Sequence, residues 1–171
     1  MNQPERAGDK FQRLVDILAE LRTSGEMDPL GRFRDKLPRI AVCEPSGLFF
    51  TRQDGSELAQ AKGANAAGLR IVLGALGVAA ADLDVLYLAG GFGRRLPVEP
   101  AQRIGLIPEM PASRVVAVGN AAIEGATIAL LSRSKRRELE TIVGAVEHCR
   151  LETHPRFFDH FVEGCQFRRF A

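Results

Sequence analysis

The sequence LYLAGGFG at residues 86–93 is a short apolar run that passes directly into three glycines. Such a run, bounded by turn residues, predicts a buried strand over 85–89. In α/β folds, ligands bind at the carboxyl ends of strands. Because glycine has no Cβ atom, a base, a ribose or a phosphate can approach the main chain closely here. A sharp strand-to-helix turn without a ligand explains the same residues and remains open at this point.

A second strand with the same kind of ending lies further along the chain. Residues 115–118 are apolar, and Gly119 and Asn120 follow them directly. Asn120 can cap a helix that is predicted to continue to about residue 131. Strand, glycine turn and helix therefore occur twice, with other helices between them. This arrangement favours an α/β fold with central parallel strands covered by helices.

The strongest helix signal begins at Asp54, with Glu57 three residues later as an Asp variant of the capping box and Gly77 as its end. This helix is unusually rich in small residues, including Gly63 and Gly68. They suggest close packing on another helix or on a ligand, because glycine in a helix costs about 1 kcal/mol relative to alanine. The other predicted elements are helices over 10–23, 99–104, 135–148 and around 157–161, and strands over 39–43, 47–51 and 150–153.

Length and composition predict one domain over residues 10–171, with residues 1–9 as a disordered lead-in. The net charge of +2 is too small to indicate a nucleic-acid partner. No apolar run approaches the length that spans a membrane. With an odd number of cysteines and no signal peptide, we expect a cytoplasmic protein.

Metal-binding and catalytic patterns are not found in the sequence. The three cysteines are widely spaced with no CxxC pair, and the three histidines recur every six residues, which does not place them on one helical face. No Ser-His-Asp arrangement or carboxylate pair stands out. The glycine stretch matches neither a P-loop nor GxGxxG, whose third glycine is replaced by Leu96. We therefore predict no metal ligand and no catalytic residue in this chain.

Several motifs together resemble one protein family. AGGFG at 89–93 resembles the adenosine motif of the sugar kinase, actin and heat-shock ATPase superfamily, and VGNAAIEGA at 118–126 resembles its second connecting helix. Three further stretches belong to the same pattern, namely TRQD at 51–54, QAKGA at 60–64 and AQRIGLIP at 101–108. The order of these five motifs resembles that in the C-terminal domain of ferredoxin-fused reductive activators of corrinoid proteins. The resemblance runs from about Leu14 to Phe161. It implies half of an actin-like, ribonuclease H-like ATPase domain.

The resemblance also implies a set of nucleotide-binding residues. It places Gly90, Gly91 and Gly93 at an adenosine face, and it matches Lys62 to a helix lysine that reaches the ribose. Asn120 joins this face, with a role as helix cap as its alternative. We expect Lys62 to lie over a shallow groove at the glycine turn. The alternative for Lys62 is a surface lysine extended along its own helix.

The sequence departs from the family pattern at the phosphates. The superfamily holds phosphates and metal with two Asp-Xaa-Gly hairpins, and residues 53–55, Gln-Asp-Gly, are the nearest string here. The resemblance implies that ATP and magnesium are bound by the complete protein, and that an iron–sulfur cluster lies in a separate ferredoxin segment. The implied partners are a corrinoid protein and the missing N-terminal lobe and ferredoxin segment. A second hypothesis is a partner-binding or regulatory module that has lost nucleotide function.

We predict that the chain alone does not hydrolyse ATP, because hydrolysis requires charge neutralisation at the phosphates and an oriented water. Phosphate release in the presence of magnesium should stay at background. Magnesium-dependent turnover that a Gly91→Val variant loses would contradict this prediction.

Overall fold

A computed structural model describes residues 7–43 and 47–170. Residues 1–6, part of the predicted lead-in, lie outside the described residues, whereas residues 7–9 already belong to the first helix. The helices are α1 (Ala7–Thr23), α2 (Arg52–Leu76), α3 (Gly90–Gly93), α4 (Val98–Arg103), α5 (Ala121–Leu131), α6 (Arg133–Gly144) and α7 (Phe157–Gly164), and the strands are β1 (Arg39–Cys43), β2 (Leu48–Thr51), β3 (Leu86–Ala89) and β4 (Val115–Gly119).

The two glycine-terminated strands pair in parallel, as the sequence predicts. In β3 and β4, Leu86 lies opposite Val115 and Ala89 lies opposite Gly119. Leu86, Leu88 and Val115 pack against the hydrophobic core, so one face of this sheet is covered by helices. β1 and β2 form a separate antiparallel pair. The fold is mixed α/β with a parallel sheet flanked by helices.

The hydrophobic core is centred on α1. Val15 and Leu18 of this helix are fully buried, in agreement with the helical spacing of its apolar residues. Each such side chain contributes about 1.5–3 kcal/mol through burial. The other buried members of this core are Ala19, Leu21, Met27, Phe33, Phe50, Leu58, Ala101, Ile104, Ile107 and Phe167.

The start of α2 differs from the prediction by one turn. Thr51, not Asp54, is the N-cap, and Asp54 takes the third position of the capping box. The Thr51 hydroxyl accepts a hydrogen bond from the Asp54 N–H at 3.2 Å, and the Asp54 carboxylate accepts one from the Thr51 N–H at 2.8 Å. The Thr51 hydroxyl also donates to the Asp54 carboxylate at 2.6 Å, and this bond and the one from the Thr51 N–H hold the pKa of Asp54 below its ordinary value. Gly77 ends α2 in the left-handed conformation, as predicted.

The small residues of α2 are explained by its crossing with α7. A Cβ atom on Gly63 would lie 2.6 Å from the Cys165 Sγ atom and 2.9 Å from the Phe161 carbonyl oxygen. A Cβ atom on Gly164 would lie 2.9 Å from the Cβ atom of Ala66. The two backbones can approach this closely only because both positions lack a side chain.

The predicted strand over 150–153 is wrong. The Leu151 carbonyl accepts a hydrogen bond from the His154 N–H at 3.1 Å, so this segment forms turns before α7 begins. A strand requires an edge to pair with, and within the described residues this segment has none. The preceding helix, predicted to reach residue 148, ends at Gly144.

We predict that Gly63→Ala lowers stability through the α2–α7 crossing. Gly74 serves as the matched control, because it lies in the same helix and a Cβ atom there would meet nothing within 4 Å. Both substitutions gain the same helix propensity, so their difference reports the crossing alone. Gly63→Ala should be less stable than Gly74→Ala by about 2 kcal/mol in urea denaturation. Equal midpoints for the two variants would contradict the close approach.

Candidate functional site

The parallel pairing brings the two glycine turns together at one edge of the sheet. Because Ala89 lies opposite Gly119, the carboxyl ends of β3 and β4 are neighbours. We call the residues at these ends, 90–93 and 119–120, the glycine edge. Residues 90–93 form the single turn α3, and the Phe92 ring packs edge-on against Phe11 of α1, with 5.2 Å between centroids. This contact fixes α3 to the core.

The three predicted adenosine-face glycines have different structural reasons. Gly90 has a φ of +90°, which disfavours any side chain. A Cβ atom on Gly93 would lie 3.0 Å from the Leu88 carbonyl carbon, so Gly93 is required for packing. Gly91 has neither constraint, and a Cβ atom there would meet nothing within 4 Å. Gly91 is therefore the position where a missing side chain leaves open space over the main chain.

Asn120 caps α5. Its side-chain oxygen accepts a hydrogen bond from the Ile123 N–H at 3.1 Å. Among the described residues, no partner accepts from its side-chain amide, and Asn120 is exposed. The cap therefore uses the oxygen of this side chain and leaves its NH₂ group free at the glycine edge.

Lys62 is buried rather than exposed. Only 1% of the residue is accessible, and its ammonium donates hydrogen bonds to the carbonyl oxygens of Gly164 and Gln166 at the end of α7. Burial lowers the pKa of Lys62 to about 8, although the nearby thiol of Cys165 acts to raise it. Arg70 and Arg168 lower this pKa further.

This environment corrects the interpretation of Lys62 as a surface lysine. Its hydrogen bonds within the described residues go to the segment after α7 and not to the glycine edge, so it does not lie over an open groove at that turn. The physical reason is the α2–α7 crossing at Gly63, which places the neighbouring Lys62 beneath the chain after α7. To contact a ligand at the glycine edge, Lys62 would first have to leave both carbonyls.

Three cavities of the structure lie around α7. Their volumes are about 230, 10 and 490 Å³, and none of the glycine-edge residues lies in their walls. The cavity of about 490 Å³ is lined by Arg70, His160, Glu163, Arg168 and Arg169. Sequence reasoning missed it, because these residues come from three separate segments.

A large apolar surface lies on the last two long helices before α7. No residue of α5 or α6 is buried, although α5 is apolar around most of its circumference. The exposed fractions reach 75% for Leu130, 79% for Leu131 and 71% for Val143. A helix that is apolar on every side is normally covered by protein or lipid. We call these two helices the α5–α6 face.

Among residues 7–43 and 47–170, no three His, Cys, Asp or Glu side chains come together closely enough to hold a metal ion. In the same part of the chain, none of the helices has the length and apolar character needed to cross a bilayer.

Comparisons with known proteins identify similar chains. A family model described as the C-terminal domain of RACo, the ASKHA domain, matches residues 13–170. The corrinoid activation enzyme RamQ of Eubacterium limosum is 30% identical over 124 residues, which cover 72% of this chain and 21% of RamQ. A solved structure of a reductive activator for corrinoid, iron–sulfur protein matches 92% of this chain and 28% of its own, with a TM-score of 0.76 and 27% identity. The chain thus spans 21% of RamQ and 28% of the solved activator.

We predict that Lys62 makes stability rise with pH above about 8. Its folded-state pKa of about 8 lies below the ordinary value of 10.5, so between these values the unfolded chain binds more protons. The free energy of unfolding should increase by about 2 kcal/mol from pH 7.5 to 9.5 relative to Lys62→Met. Both proteins carry Cys165→Ser in this comparison, because burial raises the pKa of the Cys165 thiol, Lys62 lowers it, and its titration would otherwise differ between them. Parallel pH profiles for the two proteins would contradict the buried ammonium.

Proposed function

Because the chain belongs to the family of the C-terminal ASKHA domain of RACo, we propose that it is the nucleotide-binding C-terminal subdomain of an ATP-dependent reductive activator of corrinoid proteins. On this proposal it is incomplete for catalysis on its own, since it spans 21% of RamQ and 28% of the solved activator. The complete activator couples ATP hydrolysis to reduction of an inactive cobalt(II) corrinoid. The observation that carries the proposal is the open main chain at Gly91, at the carboxyl end of a parallel strand.

In the proposed site, the glycine edge receives the adenosine part of ATP. Gly91 allows a base or ribose to approach the backbone, and the free amide of Asn120 donates to a polar atom of the nucleotide. Gly90 and Gly93 shape the turn that presents Gly91. Lys62 takes part only if the segment after α7 releases its ammonium from the two carbonyls. The phosphates and magnesium are held by parts of the activator that this chain does not span.

The α5–α6 face is proposed to dock the remainder of the activator. Three side chains on it are more than 70% exposed, and contiguous apolar surface of this kind marks interfaces. The parallel sheet supports the same conclusion, because two parallel strands with exposed residues such as Tyr87 are rarely left uncovered. Most of the length of the relatives lies outside this chain and supplies the covering surface. An electron from an iron–sulfur segment would reach the corrinoid protein through that assembly.

A second candidate function is a partner-binding module without nucleotide. The engagement of Lys62 by carbonyls favours it, since the only cation assigned to the nucleotide already has acceptors. The two candidates predict different responses to substitution. A module needs the α5–α6 face but not the open backbone at Gly91, whereas a nucleotide-binding subdomain needs both.

The experiment replaces the matching region of a corrinoid activator with this chain and follows ATP-dependent reduction of the cobalt(II) corrinoid protein by absorbance. We expect Gly91→Val to weaken ATP binding at least tenfold, because the added side chain fills the space at the glycine edge. Gly74→Val is the matched control, since both positions are open in this structure, and it should leave binding unchanged.

Two outcomes would reject the nucleotide role. One is ATP binding that is the same in the Gly91→Val and Gly74→Val chimeras. The other is a chimera whose reduction activity survives Gly91→Val but is lost when Leu131 and Val143 are both replaced by glutamate. That second result would support the partner-binding module.

A further inference from the structure

A cluster of cations surrounds the largest of the three cavities, far in sequence from the glycine edge. We call this cavity, of about 490 Å³, the arginine cleft. Arg70 comes from α2, His160 and Glu163 from α7, and Arg168 and Arg169 from the segment after α7. A crevice of about 10 Å³ is formed by the same two helices and that segment, and Lys62 lies in its wall. No residue of the glycine edge lines either one.

The charges of the cleft are only partly balanced. Arg70 is ion-paired with Glu163, and Arg169 is ion-paired with Glu109 outside the cleft. Within the described residues, the side chain of Arg168 has no hydrogen-bond or ion-pair partner. The buried Lys62 lies behind these groups and donates to two backbone carbonyls rather than into the cleft. Among the described residues that line the cleft, Arg168 is therefore the cation whose charge is unmatched.

The guanidinium of Arg70 is held in place before any ligand arrives. Its side chain is 18% exposed, and the guanidinium lies 5.0 Å from the centre of the Phe170 ring. A cation fixed by stacking and by Glu163 loses little conformational entropy when it binds an anion. His160 stays a neutral donor near pH 7, because partial burial and then Arg156 and Arg70 hold its pKa below the ordinary value.

We propose that the arginine cleft binds a phosphate-type oxyanion carried by a small molecule. Planar guanidinium groups match the oxygens of phosphate in pairs, which a surface lysine patch does not. The volume of about 490 Å³ lies within the range of small-ligand pockets, and the cleft is open to solvent on one side. An oxyanion would offset the unmatched charge of Arg168 and would lie beside the guanidinium groups of Arg70 and Arg169. This site is separate from the adenosine face and does not depend on the proposed nucleotide role.

Binding of an anion in the cleft should also stabilise the position of the segment after α7. Residues 164 and 166 supply the carbonyls that accept from Lys62, while Arg168 and Arg169 of the same segment line the cleft. A bound anion would hold this segment against α2 and α7. A ligand that binds only the folded state raises stability, so the midpoint of thermal unfolding should increase with ligand concentration.

The test is calorimetric titration of the purified chain with pyrophosphate, at an ionic strength held constant with chloride. We expect one site, and we expect Arg168→Gln to weaken binding at least tenfold, because a charge-assisted hydrogen bond is lost. Arg168 is exposed, so its replacement should leave the circular dichroism spectrum and thermal midpoint without ligand unchanged. Arg137→Gln, an exposed arginine of the basic run on α6, is the matched control and should bind like the wild type.

Three results would overturn the proposal. The first is absence of pyrophosphate binding at low ionic strength, and the second is equal weakening by Arg168→Gln and Arg137→Gln. The third is a hexaglutamate peptide that binds when pyrophosphate does not, which would assign the cleft to an acidic protein surface. Adenosine, which has no phosphate, separates the two sites: its binding in the chimera should respond to Gly91→Val and not to Arg168→Gln.

Discussion

At the crossing of α2 and α7, Gly63 faces Cys165 and Gly164 faces Ala66 at distances that no Cβ atom would tolerate. The close approach carries the segment after α7 over Lys62, whose ammonium bonds two of its carbonyls. It also brings Arg168 and Arg169 beside Arg70 of α2. The buried lysine, the docked chain end and the arginine cleft all follow from this one contact. A wider crossing would expose Lys62 and separate the arginines.

A second constraint is that the α5–α6 face is left exposed. The core around α1 covers one face of the β3–β4 pair, whereas within the described residues neither α5 nor α6 contributes a buried residue to that core. Exposed apolar area is unfavourable in water, so a partner surface would gain about 25 cal/mol for each Å² that it covers. On the proposed function, that partner surface belongs to the roughly three quarters of the activator outside the matching region.

The glycine edge leaves the main chain accessible to a ligand, whereas the arginine cleft leaves positive charge accessible to a ligand. At Gly91 a Cβ atom would meet nothing within 4 Å, and this position, unlike the equally open Gly74, lies at the carboxyl end of a parallel strand. At the cleft, cations from α2 and the chain end outnumber the carboxylates that face them. The glycine edge suits a flat neutral group, and the arginine cleft suits an oxyanion. Different elements of the fold build the two surfaces.

The sequence determined the elements whose cause is local. Apolar runs ending in glycine predicted β3 and β4, and a cap followed by apolar periodicity predicted α5 and, one turn late, α2. Motif order indicated the family, which the comparisons confirm. Only the tertiary structure decided the surroundings of Lys62, the formation of the arginine cleft and the conformation of residues 150–153. Each depends on which distant segments meet, because burial, unmatched charge and strand pairing are properties of neighbours in space. The spacing of apolar residues along the chain indicates which of them share a helix face, but it does not indicate what that face packs against.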